Sequence, residues 1–160
     1  MREIIILAAG TGTKMFPYDM VGSKTMRPVA GIPIMGHMVH TLRSFSGAPI
    51  HIMTLKQYYG ATALYFEGMD GVQVHALDQS GGSADTLLAG MKLVSGGDVL
   101  VVSGDTWIDP QDLKALHGQS GPAALCCPLN GERSMDWICA RLDGGRVAEI
   151  GAHHRGESMT

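Results

Sequence analysis

At 160 residues with a formal net charge of −3, the chain is long enough for one domain with a sizeable core, and it lacks the basic excess of a nucleic-acid surface. Hydrophobic residues make up 45% of it, yet no apolar run approaches a membrane span, and Met1-Arg2-Glu3 leads into a strand rather than a charged-then-apolar leader. Cys126, Cys127 and Cys139 lack C-x-x-C spacing and sit among apolar residues, which predicts reduced core thiols and a cytoplasmic setting.

The first expected element is Glu3-Ile4-Ile5-Ile6-Leu7, a β-branched run that reads as a strand buried on both faces. Small residues follow at once in Leu7-Ala8-Ala9-Gly10-Thr11-Gly12-Thr13-Lys14-Met15. Pro33 opens a helical pattern with Met35, Met38, Val39, Leu42 and Phe45 on one face, ended by Ser46-Gly47-Ala48-Pro49. Ile50 to Thr54 alternates as a second strand, and Tyr58 to Phe66 is expected as a helix stopped by Gly68. Val72 to Leu77 reads as a third strand and Asp85 to Val94 as a third helix. Asp98 to Val102 is an apolar fourth strand that ends at Ser103-Gly104-Asp105. Pro110 to His117 is expected as a helix and Ala123 to Leu129 as a fifth strand. Asp136 to Leu142 and Arg146 to Ile150 read as a hairpin around Asp143-Gly144-Gly145. The polar stretch from Gly151 to Thr160 is expected to fray.

Strands alternating with helices predict an α/β fold: a doubly wound, mainly parallel sheet with helices on both faces, filling residues 1–150 before a tail at 151–160. Ligands of such sheets bind beyond the carboxyl ends of the strands. Gly10, Gln79 and Asp105 all follow strands at that end, so three loops are expected to converge there.

The first loop carries the strongest chemical signal. Ala8, Ala9, Gly10 and Gly12 offer backbone N–H groups with little side chain in the way, and Lys14 adds a mobile positive charge. That is a way of holding phosphates. The spacing G-x-x-x-x-G-K-[ST] is absent, because Gly12 stands two residues before Lys14; G-x-G-x-x-G begins at Gly10 and Gly12 but meets Met15 at its third position. His37 and His40 are three apart on a helix, but nothing nearby in the sequence completes a metal site.

The string Leu7-Ala8-Ala9-Gly10-x-Gly12-Thr13-Lys14-Met15-x-Pro17, continued by Ser23-Lys24-x-Met26-x-Pro28-Val29-x-Gly31-x-Pro33, resembles the sugar-1-phosphate nucleotidyltransferases, also called pyrophosphorylases. Their pattern is L-A-A-G-x-G-T-R-[ML]-x-P followed by P-K-x-[ML]-x-P-V-x-G-x-P. Lys14 replaces the usual Arg and Ser23 the usual Pro. The resemblance implies a Rossmann-like, GT-A-like nucleotidyltransferase fold in a short or truncated form, with residues 1–150 as the nucleotide-binding part. It implies attack of a sugar-1-phosphate on the α-phosphorus of a nucleoside triphosphate, releasing pyrophosphate and forming an NDP-sugar.

The resemblance also distributes roles. Leu7 to Thr13 would cradle the triphosphate, Lys14 would hold its β- and γ-phosphates, and Lys24 would sit near the α-phosphate and the incoming sugar phosphate. Asp105, ending the segment Gly104-Asp105, would bind Mg²⁺. Gln79 with Gly81-Gly82-Ser83-Ala84-Asp85 is similar to the family's Q-x-x-G-T-A. There the glutamine reads a pyrimidine edge and the glycine admits base and ribose, which favours UTP or dTTP. The family continues with Glu-Lys-Pro and a sugar-binding half, where this chain has Gly151-Ala152-His153-His154. Two alternatives share these motifs: a nucleotide-binding or regulatory module that has lost catalysis, and a molybdenum-cofactor or phosphocholine nucleotidyltransferase using GTP or CTP. An uncovered edge and apolar face between Ala123 and Ile150 predict a homodimer through that region if these residues are the whole molecule, and a sticky, poorly stable protein if they are a fragment.

Overall fold

The computed structural model describes residues 2–12, 22–124, 138–144 and 146–152. The chain divides into two units, Met1–Ala123 and Ala124–Thr160. The first holds a four-stranded sheet built from β1 (Glu3–Ala8), β4 (Ile50–Leu55), β5 (Val72–Leu77) and β6 (Val99–Ser103), in the order β5-β4-β1-β6. All three pairings are parallel. Between β1 and β4 come a 3₁₀ turn, Lys24–Met26, a short hairpin, β2 (Pro28–Val29) with β3 (Ile32–Pro33), and helix α1 (Ile34–Arg43). Helices α2 (Lys56–Phe66), α3 (Ser83–Met91) and α4 (Pro110–His117) complete the unit.

The β-branched run of β1 is buried because it has a neighbour on each side and a helix layer on each face. Ile4, Ile5 and Ile6 are fully buried, each worth about 1.5–3 kcal/mol relative to exposure. Ile4, Ile6 and Ala8 join Met35, Val39 and Leu42 of α1, Phe66 of α2 and Leu113 of α4 in one core. On the opposite face α3 comes so close that a Cβ on Gly90 would stand 2.9 Å from Ile5 Cγ2. Helices therefore lie on both faces, as expected of a doubly wound sheet.

Several expected boundaries shift for physical reasons. β4 is buried along its whole length, because the apparent polar alternation at His51 is absorbed by an internal bond to Glu3, at 3.0 Å. Helix α3 begins at Ser83, not Asp85, because the Asp85 carboxylate accepts from Gly81 N–H at 2.9 Å and so caps the turn from inside. It stops at Met91 rather than Val94, before Gly96 and Gly97 with φ of +100° and +91°. The hairpin β2–β3 was not expected. It turns on Ala30 and Gly31, both at positive φ (+51° and +83°), and hands the chain directly to α1.

In the second unit β7 (Ile138–Asp143) and β8 (Arg146–Ala152) form the expected antiparallel hairpin, with a register shift between Arg141 and Leu142. β8 runs on through Gly151 and Ala152, the first two residues of the stretch expected to fray. Nearly all of the expected strand Ala123–Leu129, with Cys126 and Cys127, lies outside the described residues. No helix among the described residues is long and apolar enough to cross a membrane.

Candidate active site

In the sheet order β5-β4-β1-β6 the chain moves outward from β1 to β5 and then returns across to the other side for β6. The order therefore reverses between β1 and β6, and the loops leaving these two strands must part there and open a crevice. Leu7 to Thr11 leave β1 into this crevice, and Ser103 and Asp105 leave β6 into it. Lys24, Thr25, Ser80 to Ser83 and Thr86 complete the lining around about 260 Å³.

The two loops are stitched together behind the crevice. Gly104 N–H donates to the Leu7 carbonyl at 2.9 Å, and a Cβ on Gly104 would stand 3.3 Å from Ala8 Cβ and 3.2 Å from Thr25 Cγ2. The small residues of the first loop thus have a packing role besides the expected one. Ala8 and Ala9 are buried, and Ala8 lets Gly104 close over it.

Lys24 and Asp105 form an ion pair in the crevice, each side chain about 30% exposed (31% and 30%). Asp105 Oδ1 also accepts from the Ser103 hydroxyl at 2.6 Å. Burial pushes the Asp105 pKa up, but hydrogen bonds from Lys24 and Ser103 and the lysine charge outweigh it, so the carboxyl titrates below its ordinary value. Lys24 is presented by the 3₁₀ turn. Ser23 caps that turn: its hydroxyl accepts from Thr25 N–H and pairs with the Thr25 hydroxyl at 2.8 Å. Ser23 has φ −60°, the angle a proline ring would impose. Replacing the motif's proline with serine therefore keeps the backbone path and adds a cap.

Of the residues singled out in the sequence, Leu7, Ala8, Ala9, Gly10, Thr11, Lys24, Gly82, Ser83 and Asp105 line one crevice. Gly12 follows at φ +73° but is not among the lining residues. Thr13 and Lys14 lie outside the described residues. Gln79 is exposed on the loop before Ser80 and does not line the crevice. Gly82, at φ +146°, turns the chain into α3 as only glycine does readily. Sequence reasoning missed Ser103, Thr25, Ser80 and Thr86. The Ser-Gly-Asp run at the end of a buried strand was a usable signal for Ser103, because it spaces the hydroxyl to reach its own carboxylate.

A family model described as a MobA-like NTP transferase domain matches residues 4–158. This chain belongs to that family. The MobA-like chain is 31% identical over 126 residues to the bifunctional protein GlmU of Pseudomonas fluorescens, covering 77% of itself and 26% of that protein. It is 32% identical over 127 residues to GlmU of Stenotrophomonas maltophilia, covering 77% of itself and 27% of the relative. It thus spans about a quarter of the length of these curated relatives.

Among solved structures, one assigned as a glucose-1-phosphate thymidylyltransferase of Bacillus anthracis superposes with a TM-score of 0.77 at 22% identity. That match covers 95% of this chain and 64% of the other. A nucleotidyl transferase of Methanothermobacter superposes with a TM-score of 0.62 at 23% identity, covering 72% of this chain and 56% of that one. These likenesses speak to the fold of the MobA-like domain, and they agree with its mainly parallel sheet.

Among the described residues no three His, Cys, Asp or Glu side chains are grouped to hold a metal by themselves. The crevice offers the Asp105 carboxylate, with the Ser103 hydroxyl behind it. This donor set fits Mg²⁺, which takes one or two carboxylates and completes its shell with water and substrate phosphates. His37 is otherwise engaged: its Nε2 lies 2.8 Å from the Val29 carbonyl, and its ring stands edge-on to Trp107.

Proposed function

We propose that this chain transfers a nucleotidyl group from a nucleoside triphosphate, UTP or dTTP preferred, to a sugar-1-phosphate. A phosphate oxygen of the acceptor forms a bond to the α-phosphorus. The bond from that phosphorus to the bridging oxygen breaks, and pyrophosphate leaves with the electron pair. The acceptor phosphate is already ionised near neutral pH, so the site needs positioning and charge neutralisation rather than a general base. The observation that carries this reading is the crevice at the β1–β6 switch point, where the Gly10 loop, Lys24 and Asp105 meet. Family membership supports the reaction class, and the name of one structural neighbour, a glucose-1-phosphate thymidylyltransferase, is in keeping with a sugar phosphate as acceptor.

In this reading the Gly10-Thr11 backbone and the start of α3 at Ser83 receive the phosphates, with Lys14 at the departing pyrophosphate. Lys24 serves the α-phosphate and the incoming phosphate, where charge is redistributed during attack. Asp105 would hold Mg²⁺, which when bound neutralises phosphate charge. Gln79 and Gly82 would meet the base and ribose.

The test is pyrophosphate release from UTP, dTTP, CTP, GTP and ATP against a panel of sugar-1-phosphates with Mg²⁺ present. Turnover with UTP or dTTP is the expected result, with Asp105→Asn as the inactive control. Preference for GTP or CTP would move the chain to another member chemistry of the same fold. Triphosphate binding by calorimetry without any turnover would make it a binding module instead.

A further inference from the structure

Both oxygens of the Asp105 carboxylate already have partners in the protein. Oδ1 accepts from the Ser103 hydroxyl at 2.6 Å, and Oδ2 is held by the Lys24 ammonium. The pair is neither dispersed in water nor sealed from it, with each side chain about 30% exposed (31% and 30%). A ligand in the crevice can therefore reach it.

Lys24 is aimed at Asp105 by three features that need not have coincided. The 3₁₀ turn that carries it is capped by Ser23, whose hydroxyl is buried against that of Thr25. Thr25 packs at Gly104, so the turn is registered against the residue next to Asp105. Gly10 leaves room for the lysine stem to cross the first loop: a Cβ there would stand 3.1 Å from Lys24 Cε and 3.5 Å from Nζ. The glycine of the first loop is thus a positioning residue for the lysine as well as an open stretch of backbone.

We propose that Lys24 is a resident stand-in for the metal, closing Asp105 to a free divalent cation so that the cation enters only together with a triphosphate. The reading rests on Asp105 as the metal-holding carboxylate of the proposed reaction. A divalent cation arriving alone meets a carboxylate already neutralised and an ammonium that repels it. A triphosphate arriving with its cation presents several negative charges within reach of the lysine. Lys24 can then turn from Asp105 to phosphate, and the freed Oδ2 accepts the cation that the same triphosphate carries. No charge is left unpaired at any stage, which matters in a half-buried site. The lysine that neutralises phosphate and the aspartate that holds metal are thus exchangeable halves of one ion pair, and its opening sets the order of binding.

The test uses the whole chain and Mn²⁺, read by the enhancement of water-proton relaxation that appears when Mn²⁺ is held on a macromolecule. Wild type, Lys24→Met, Lys24→Gln and Gly10→Ala are titrated with Mn²⁺ alone and then with a non-hydrolysable UTP analogue. The expected result is that both Lys24 variants take up Mn²⁺ alone at least tenfold more tightly than wild type, with Gly10→Ala in between. Wild type should gain its Mn²⁺ only when the analogue is added, and Asp105→Asn should take up none in either condition. Equal uptake of Mn²⁺ alone by wild type and the Lys24 variants overturns the stand-in role while leaving the proposed function intact. Absence of enhancement in all proteins, with and without the analogue, removes Asp105 as a metal holder and takes both readings down. Melting temperatures of the ligand-free variants confirm that each is folded.

Discussion

Ser103 illustrates how much of the site's chemistry rests on a residue that touches no expected substrate atom. Its hydroxyl donates to Asp105 Oδ1 at 2.6 Å, and this bond helps hold the carboxyl below its ordinary pKa against the opposing effect of burial. A hydrogen bond to a charged group contributes roughly 1.5–3 kcal/mol. Ser103→Ala should therefore raise the Asp105 pKa and lower turnover by about ten- to a hundredfold. The acid limb of the rate–pH profile should move to higher pH, whereas the serine's loss through packing alone would lower the rate at all pH values without moving that limb. Lys24 and Asp105 were legible in the sequence because they stand in an ordered motif. Ser103 had only the Ser-Gly-Asp run to mark it, a weaker signal that went unread because a serine closing an apolar strand has many bland explanations. Ser23 was legible only as a departure, and its φ of −60° shows why the departure leaves the turn intact.

At the scale of elements, the parallel strands and α4 were readable because apolar β-branched runs and the stretch Pro110 to His117 carry their own signals; the Asp109 cap on Gln111 N–H came only with the structure. The β2–β3 hairpin was not, because two-residue strands have no periodicity, and Ala30 sits at a positive φ that an alanine does not advertise. Two helical glycines give a sharper test of how elements fix the site. Gly60 in α2 is exposed, and a Cβ there would have nothing within 4 Å. Gly60→Ala should stabilise the chain by up to about 1 kcal/mol through helix propensity. Gly90 in α3 faces Ile5, with 2.9 Å available to a Cβ. Gly90→Ala should instead destabilise by about 1–3 kcal/mol, because overpacking opposes the same propensity gain. It should also weaken triphosphate binding, since α3 carries Ser83 and Thr86 into the crevice. Equal and favourable changes in denaturation midpoint for the two substitutions would mean that α3 does not pack as closely on β1 as this.

At the scale of the whole molecule, acid sensitivity should come in good part from a polar chain that crosses β1, β4 and β5 outside the crevice. There Glu3, His51 and His75 form a chain across three strands, with His51 Nε2 3.0 Å from Glu3 Oε2 and His51 Nδ1 3.1 Å from His75 Nε2. Burial, and beside it the charge of His51, lowers the His75 pKa from its ordinary 6.5. Glu3 is lowered from 4.5, chiefly by the Ser95 N–H and then by His51. The signs follow from linkage. Between the depressed value of His75 and 6.5 the unfolded chain binds more protons than the folded one, so stability falls as pH drops through that window. Glu3 contributes stability above 4.5 that is lost as pH falls through its own lowered value. The melting temperature should therefore decline in two steps on acidification, the first beginning near 6.5. His75→Gln should shrink the first step, to which His117, also lowered from 6.5 by burial, contributes the remainder, and leave the second in place. Because His75 sits on the edge strand β5, with β4 between it and β1, and does not line the crevice, the same substitution should leave triphosphate binding at neutral pH unchanged. A melting profile with the same first step in His75→Gln as in wild type would assign that step to another group.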